Sequence, residues 1–248
     1  MQALELAIDQ KAIAFKHVLM ATDFSEPSQR ALDFAVAITR RYGSTLSILH
    51  AMPPEPYDRV PVGQPLELNR RSLEAETQMA KVKQYISEKG LDAHLTLRRG
   101  KVWDAMASAI LTQEIDLLVL GTHGRGGLKK LALGSVAEEV LRVAPCPVLT
   151  VGPGVTAVNS GGTRFGRILF ATDFGAASEK ALPYALALAE EYQSELFLLH
   201  MLPPLPGADL GPATYGASTY GAEEFMEWQQ TRREKSKSRL KELIPPDL

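Results

Sequence analysis

The sequence is short of cysteine, of long apolar runs and of any excess charge. Its one cysteine, Cys146, excludes an intramolecular disulfide framework and any cysteine-rich metal cluster. No apolar stretch approaches the roughly 18–20 residues that cross a bilayer, so no membrane partner is expected. Lys and Arg total 27 against 29 Asp and Glu, a formal charge of −2. That balance lacks the basic footprint of a nucleic-acid-coating protein, and no nucleic-acid partner is expected. The opening MQALELAIDQKAIAFK has acids early and no uninterrupted apolar core. It makes a poor secretory signal, so the cytosol is the expected compartment. What is present is a globular composition, 45% hydrophobic and 23% charged over 248 residues. This is too apolar for a mostly disordered chain and long enough for one large or two ordinary domains.

Self-comparison reveals a duplication. FKHVLMATDFSEPSQRALDFAVAITRRYGSTLSILHAMPP, from Phe15, aligns without a gap with FGRILFATDFGAASEKALPYALALAEEYQSELFLLHMLPP, from Phe165. About 18 of the 40 positions are identical, which marks a tandem repeat.

The first copy has the rhythm of an α/β domain. HVLMAT (17–22) suits a strand buried on both faces. A helix is predicted from about Pro27 to Tyr42, with Ala31, Phe34, Ala35 and Ile38 at helical spacing and Gly43 just past its end. Strand 45–51, a long helix from about Leu66 to Lys89, strand 93–99, helix 102–113 and strand 116–121 follow. A Gly-rich loop, a helix starting near Ser135 and strand 147–151 complete the copy. Five strands alternating with four helices imply a parallel sheet covered on both faces, a three-layer α/β/α fold. The expected organisation is an N-terminal extension (1–14), a complete domain (15–152), a Gly- and Ser-containing linker (153–164) and a partial second domain (165–248). The second copy repeats strand, helix, strand and a charged helix (about 222–243), and Leu248 is equivalent to Arg98. On this alignment it lacks the last two strands and a second Gly-rich loop.

The most informative residues follow the fourth strand, in LVLGTHGRGGLKKLALGSVAEEVL (118–141). Gly121, Gly124, Gly134 and Ser135 form a G-x2-G-x9-G-S arrangement. Parallel sheets bind ligands beyond the carboxyl ends of their strands. Glycine lets the backbone approach a ligand, and free amides at a helix N-terminus suit phosphate oxygens. Ser135 is expected to cap the following helix, with Glu138 completing a capping box. His123, Arg125, Lys129 and Lys130 add local positive charge, which favours an anion. The same residues also describe an ordinary strand–loop–helix connection. Neither a Walker A motif nor the dinucleotide fingerprint is present.

Asp23, in ATDFS at the end of the first strand, has two readings. It could accept hydrogen bonds from a ribose or base, or help hold a metal beside phosphates. Alternatively, Asp23 or Ser25 caps the helix that begins near Pro27. His50 and His200 end equivalent strands without ligand-spaced neighbours, which makes them structural rather than metal ligands. Cys146 reads as a buried small side chain and not a nucleophile.

ATDFS, the LH ending strand two, and GTHGRGGLKKLALGSVAEEVLRVAPCPVLTV together resemble the universal stress protein family. The resemblance covers 15–152 in full and 165–248 as an incomplete copy. It implies a Rossmann-like, adenine nucleotide hydrolase-like fold. It also implies an ATP site, possibly with Mg²⁺, at Thr22, Asp23, Ala51, Leu120, Gly121, Gly124, Arg125, Gly134, Ser135 and Val136. Only Thr22, Asp23 and Ala51 have second-copy counterparts (Thr172, Asp173, Met201), so the second copy is expected to bind no nucleotide in that manner. The implied role is a stress-response regulator with no catalytic residues and no or very slow hydrolysis. The alternatives are a Mg²⁺-dependent ATPase or transferase using Asp23, and a nucleotide-free dimeric scaffold. Family members commonly pair through the final strand, which here implies a homodimer through Val148–Val151. A further protein partner would be unknown.

Overall fold

The structure is a computed structural model that describes residues 14–52, 66–122, 134–152, 154–155, 165–202 and 222–245, with the backbone alone at 66–69 and 222–225. The expected extension before residue 14 and most of the expected linker lie outside the described residues. Two compact units emerge, Ala14–Thr163 and Arg164–Leu248.

In the first unit β1 (His17–Ala21), β2 (Thr45–Met52), β3 (His94–Arg99), β4 (Leu117–Gly121) and β5 (Val148–Val151) form one sheet in the order β3-β2-β1-β4-β5. Every pairing is parallel. The helices between them are α1 (Glu26–Tyr42), α2 (Leu66–Glu88), α3 (Val102–Thr112) and α4 (Ser135–Val143). The predicted elements form, with ends shifted by a residue or so.

The central strands are apolar throughout because both faces are covered. Leu19, Leu49, Leu118 and Leu120 face Met106, Ala109 and Ile110 of α3 and Ala137 and Val140 of α4. Val18 and Met20 alternate to the opposite face of β1 and are equally buried. Helix α1 contributes Ala31, Leu32, Ala35, Val36 and Ile38 to the core, while Phe34 is only half-buried. Gly43 ends α1 with φ 66°, and its N–H donates to the Thr39 carbonyl. That left-handed position suits glycine.

The second unit comprises β6 (Arg167–Ala171), α5 (Ala176–Tyr192), β7 (Glu195–Leu199) and α6 (Ala222–Glu242). β6 and β7 pair in parallel as a two-stranded sheet. Phe170, Leu182 and Ala185 form its small core, with Leu186, Leu196, Leu198 and Leu243 packed around them. Local devices recur between the copies. Phe15 meets Tyr42 edge-on at 5.3 Å, and Phe165 meets Tyr192 at 4.9 Å. The hydroxyl of Ser44 donates to the Phe15 carbonyl, and that of Ser194 to the Phe165 carbonyl.

Candidate functional site

The strand order reverses direction between β1 and β4. The loops leaving their carboxyl ends therefore diverge to opposite faces and leave a crevice at the switch point. Register places the candidate residues around it. Ala21 pairs with Leu49 on one side and with Leu120 on the other. Thr22, Asp23, Ala51 and Gly121 thus sit at one end of three adjacent strands.

Asp23 is held by the start of α1. Its Oδ1 accepts from the Ser25 amide at 3.0 Å, the Ser25 hydroxyl at 2.6 Å and the Ser28 hydroxyl at 2.6 Å. Ser25 is the N-cap, and its Oγ accepts from the Ser28 amide. The capping reading therefore belongs to Ser25, with Asp23 bracing the cap from one turn away. Between Thr22 and Ser25 the chain turns through Phe24 at φ 62°, where the Phe24 amide donates to Thr22 Oγ1 at 3.0 Å. The His50 Nδ1–H donates to the Thr22 carbonyl at 2.7 Å, and the ring lies 4.3 Å from that of Phe24. His50 thus buttresses the turn from the end of β2.

Beyond β4, the Thr122 amide donates to the Val151 carbonyl at 3.0 Å, and the Gly134 amide to the Thr122 carbonyl at 2.7 Å. These bonds bring the start of α4 back over β4. The expected capping box does not form. Gly134 is the N-cap, Ser135 is the first helical residue, and no side chain caps the helix. Glu138 instead pairs with Arg142 at 2.9 Å. Pinning Gly134 to Thr122 sets the cap one residue before the serine. The amides of Ser135 and Val136 consequently begin α4 at the crevice, where the partial positive charge of a helix N-terminus favours an anion.

Leu120 contributes only backbone to this end, because its side chain is buried beneath α4. Gly124 and Arg125, with His123, Lys129 and Lys130, lie outside the described residues. Gly121 has a packing reason of its own. A Cβ there would stand 3.0 Å from the Pro27 carbonyl carbon and 3.1 Å from its oxygen.

The second copy rebuilds the loop without the Gly-rich partner. The Phe174 amide donates to Thr172 Oγ1 at 2.9 Å, Phe174 has φ 59°, and the His200 Nδ1–H donates to the Thr172 carbonyl at 2.8 Å. Asp173 Oδ1 accepts from the Gly175 amide and the Ser178 hydroxyl, each at 2.8 Å. The Gly175 N–H and then Ser178 hold this exposed carboxyl below the usual carboxylate range. Arg239, on the charged face of α6, stacks over Phe174 at 4.0 Å. Phe24, Ser28 and Arg239 escaped sequence reasoning, although the recurrence of TDF followed by a serine four residues later was a visible signal for the first two.

Beside Phe24, between α1 and α2, lies a recess of about 240 Å³ lined by Met20, Leu32, Lys81, Val82 and Tyr85 among others. The Tyr85 hydroxyl donates to Asp33 at 2.6 Å, and burial, then Asp33, pushes its ionisation above the usual tyrosine range. Cys146, expected to be buried, is only half-buried, and burial followed by the nearby Asp116 charge raises its thiol, the opposite of nucleophile activation. No group of three or more His, Cys, Asp or Glu among the described residues could hold a metal ion. No described helix is long and apolar enough to cross a membrane.

The fold and its crevice define a three-layer, parallel α/β protein with a duplicated strand–helix–strand unit. The chain belongs to the universal stress protein family, whose model matches residues 14–152 and again 164–244. A universal stress protein of Thermus aquaticus is 35% identical over 142 residues, which cover 55% of this chain and 98% of that one. One from Methanocaldococcus jannaschii is 32% identical over 139 residues, covering 55% and 82%. Universal stress protein UspA from Lactobacillus plantarum superposes with a TM-score of 0.51 at 25% identity, covering 56% of this chain and 99% of that one. A crystal structure of a universal stress protein from Archaeoglobus fulgidus spans more, 78% of this chain and 70% of its own, with a TM-score of 0.58. At 24% identity it speaks to the fold alone.

Two outcomes test these contacts. Gly121→Ala forces a methyl against the Pro27 backbone and should cost about 1–3 kcal/mol, read by urea unfolding of the first unit through Trp103 in a Trp228→Phe background. The Asp173 carboxyl should titrate by NMR below the usual carboxylate range, and Ser178→Ala should move it upward. Since its folded pKa is depressed, its contribution to stability is present above the unfolded pKa and fades as pH falls through the folded one.

Proposed function

We propose that the protein is an ATP-binding stress-response regulator whose first copy (15–152) holds the nucleotide. In this reading 153–164 links it to a second copy (165–248) that serves packing or partner recognition. The observation that carries it is the pairing of a braced carboxylate with an uncapped helix N-terminus across the switch point. Asp23 stands on one side, with Gly134, Ser135 and Val136 on the other.

The chemistry suits an adenosine phosphate. Amides at the start of α4 would take phosphate oxygens, with Gly124 and Arg125 of the same motif adding contacts. The Asp23 carboxylate, oriented by Ser25 and Ser28, would accept from the adenosine, beside the backbone of Thr22, Ala51, Leu120 and Gly121. Mg²⁺ would be carried in by the phosphates themselves, which suits a site without a cluster of protein ligands among the described residues. Regulation follows from binding alone, because a ligand that prefers one conformation shifts the population toward it.

The pairing edge belongs to the same proposal. β5 ends the sheet, and its outer edge has no strand beside it among the described residues. Such an edge invites a second copy, forming a homodimer through Val148–Val151.

Calorimetric titration of the full chain with ATP and Mg²⁺ should give saturable binding. Asp23→Ala should weaken it roughly tenfold or more, as expected for losing hydrogen bonds to a charged group worth about 1.5–3 kcal/mol. Asp173→Ala is the matched control and should leave affinity unchanged. Phosphate release at the per-second rates of ordinary enzymes, abolished by Asp23→Ala while ATP is still retained, would make the protein an ATPase instead. For the edge, Leu149→Lys should halve the mass seen by light scattering at micromolar concentration. An unchanged mass would remove β5 as the interface.

A further inference from the structure

The recess between α1 and α2 is built from two kinds of side chain. Its floor is apolar. Met20 of β1, Leu32 of α1 and Val82 of α2 are all buried, and the Phe24 ring stands beside them. Its rim is polar. Gln29 comes from α1, while Gln78 and Lys81 come from α2, where a spacing of three puts them on one helix face. At about 240 Å³ the space is smaller than the roughly 300–1,000 Å³ of drug-sized sites, so it fits a compact guest. Two of its hydroxyls are already committed, Tyr85 to Asp33 and Ser28 to Asp23. The side chains of Gln29, Gln78 and Lys81, by contrast, have no hydrogen-bond or ion-pair partner among the described residues. No carboxylate is among the described side chains that line the recess, so its charge there is that of the Lys81 ammonium.

We infer that this recess binds a small amphipathic monocarboxylate, a short alkyl chain ending in a carboxyl group. The chain lies on Met20, Leu32 and Val82, against Phe24. The carboxylate meets the Lys81 ammonium and the side-chain N–H groups of Gln29 and Gln78. An apolar lining with a few convergent polar groups is what small-molecule sites have in common. A lone cation at the rim matches a single negative charge, which selects a monocarboxylate over a phosphate dianion. Met20 faces away from α3 and α4, so the site is distinct from the crevice at the start of α4. The two nevertheless share a wall, because Phe24 and Ser28 belong to the turn that orients Asp23. An occupant therefore rests on that turn from its far side. Binding here requires no nucleotide and does not depend on the proposed ATP site.

Sodium octanoate is the probe, titrated into the nucleotide-free full chain. Calorimetry should give saturable binding with a Kd on the order of 0.1–1 mM, the range open to a ligand of so few atoms. In amide NMR spectra the shifts should cluster at Phe24, Gln29, Gln78 and Lys81. Lys81→Glu replaces attraction by repulsion at an exposed charge and should weaken octanoate roughly three- to tenfold. Lys83→Glu, on the same helix but outside the recess, should leave the affinity unchanged. 1-Octanol, which has the chain without the charge, should bind both the unaltered protein and Lys81→Glu equally. Gln29→Trp sets a large ring across the rim and should weaken both ligands roughly tenfold or more. Its urea midpoint should hold, because position 29 is exposed. Absence of saturable octanoate binding up to about 10 mM, or amide shifts centred elsewhere, overturns the inference. Octanoate binding that Lys81→Glu and Lys83→Glu alter alike overturns it equally.

Discussion

The first unit depends on how closely the start of α1 approaches the end of β4. Only a hydrogen at position 121 allows the Pro27 backbone to lie against that strand end. Pro27 sits at the beginning of a helix whose cap, Ser25, is tied to Asp23. A side chain at 121 would therefore push against the network that orients the carboxylate. Gly121 is needed by the protein's own packing before any ligand is considered, and that packing sets the two sides of the crevice against each other.

The duplication works as an internal control on this reasoning. The turn through Thr22, Asp23 and Phe24, with its left-handed phenylalanine and buttressing histidine, is rebuilt at Thr172, Asp173 and Phe174. It forms there with no Gly-rich loop beside it among the described residues, so the turn is a local property of the TDF sequence and of the serine five residues beyond the aspartate. What sets Asp23 apart is its surroundings. Ser25 gives it two donors where Gly175 gives Asp173 one. It also stands beside β4, which Asp173 lacks among the described residues.

Much of the fold was legible because strands and helices announce themselves through local periodicity. HVLMA is apolar at every position because it is covered twice, and α1 carries Ala31, Ala35 and Ile38 at helical spacing before Gly43. The glycine spacing likewise marked the loop that leaves the carboxyl end of β4, next to the point where the strand order reverses. The helix cap was misread because Ser135 and Glu138 satisfy the capping-box pattern, whereas the actual cap is chosen by a bond from Gly134 to Thr122. Cap preference is worth about 1 kcal/mol, and a tertiary hydrogen bond that fixes the loop's return outweighs it.

By itself the sequence determined the repeat, the alternation of strand and helix, and the residue types gathered at the strand ends, all of which follow from short-range spacing. Only the tertiary structure decided that β1 and β4 flank the switch point, that Leu120 turns inward, and that Gly121 answers to Pro27. It also decided which helices hide Leu19 and Leu49. A leucine's affinity for apolar neighbours is the same wherever it stands, and that α3 and α4 are the elements that lie over β1 and β2 is a matter of long-range packing that spacing along the chain does not encode.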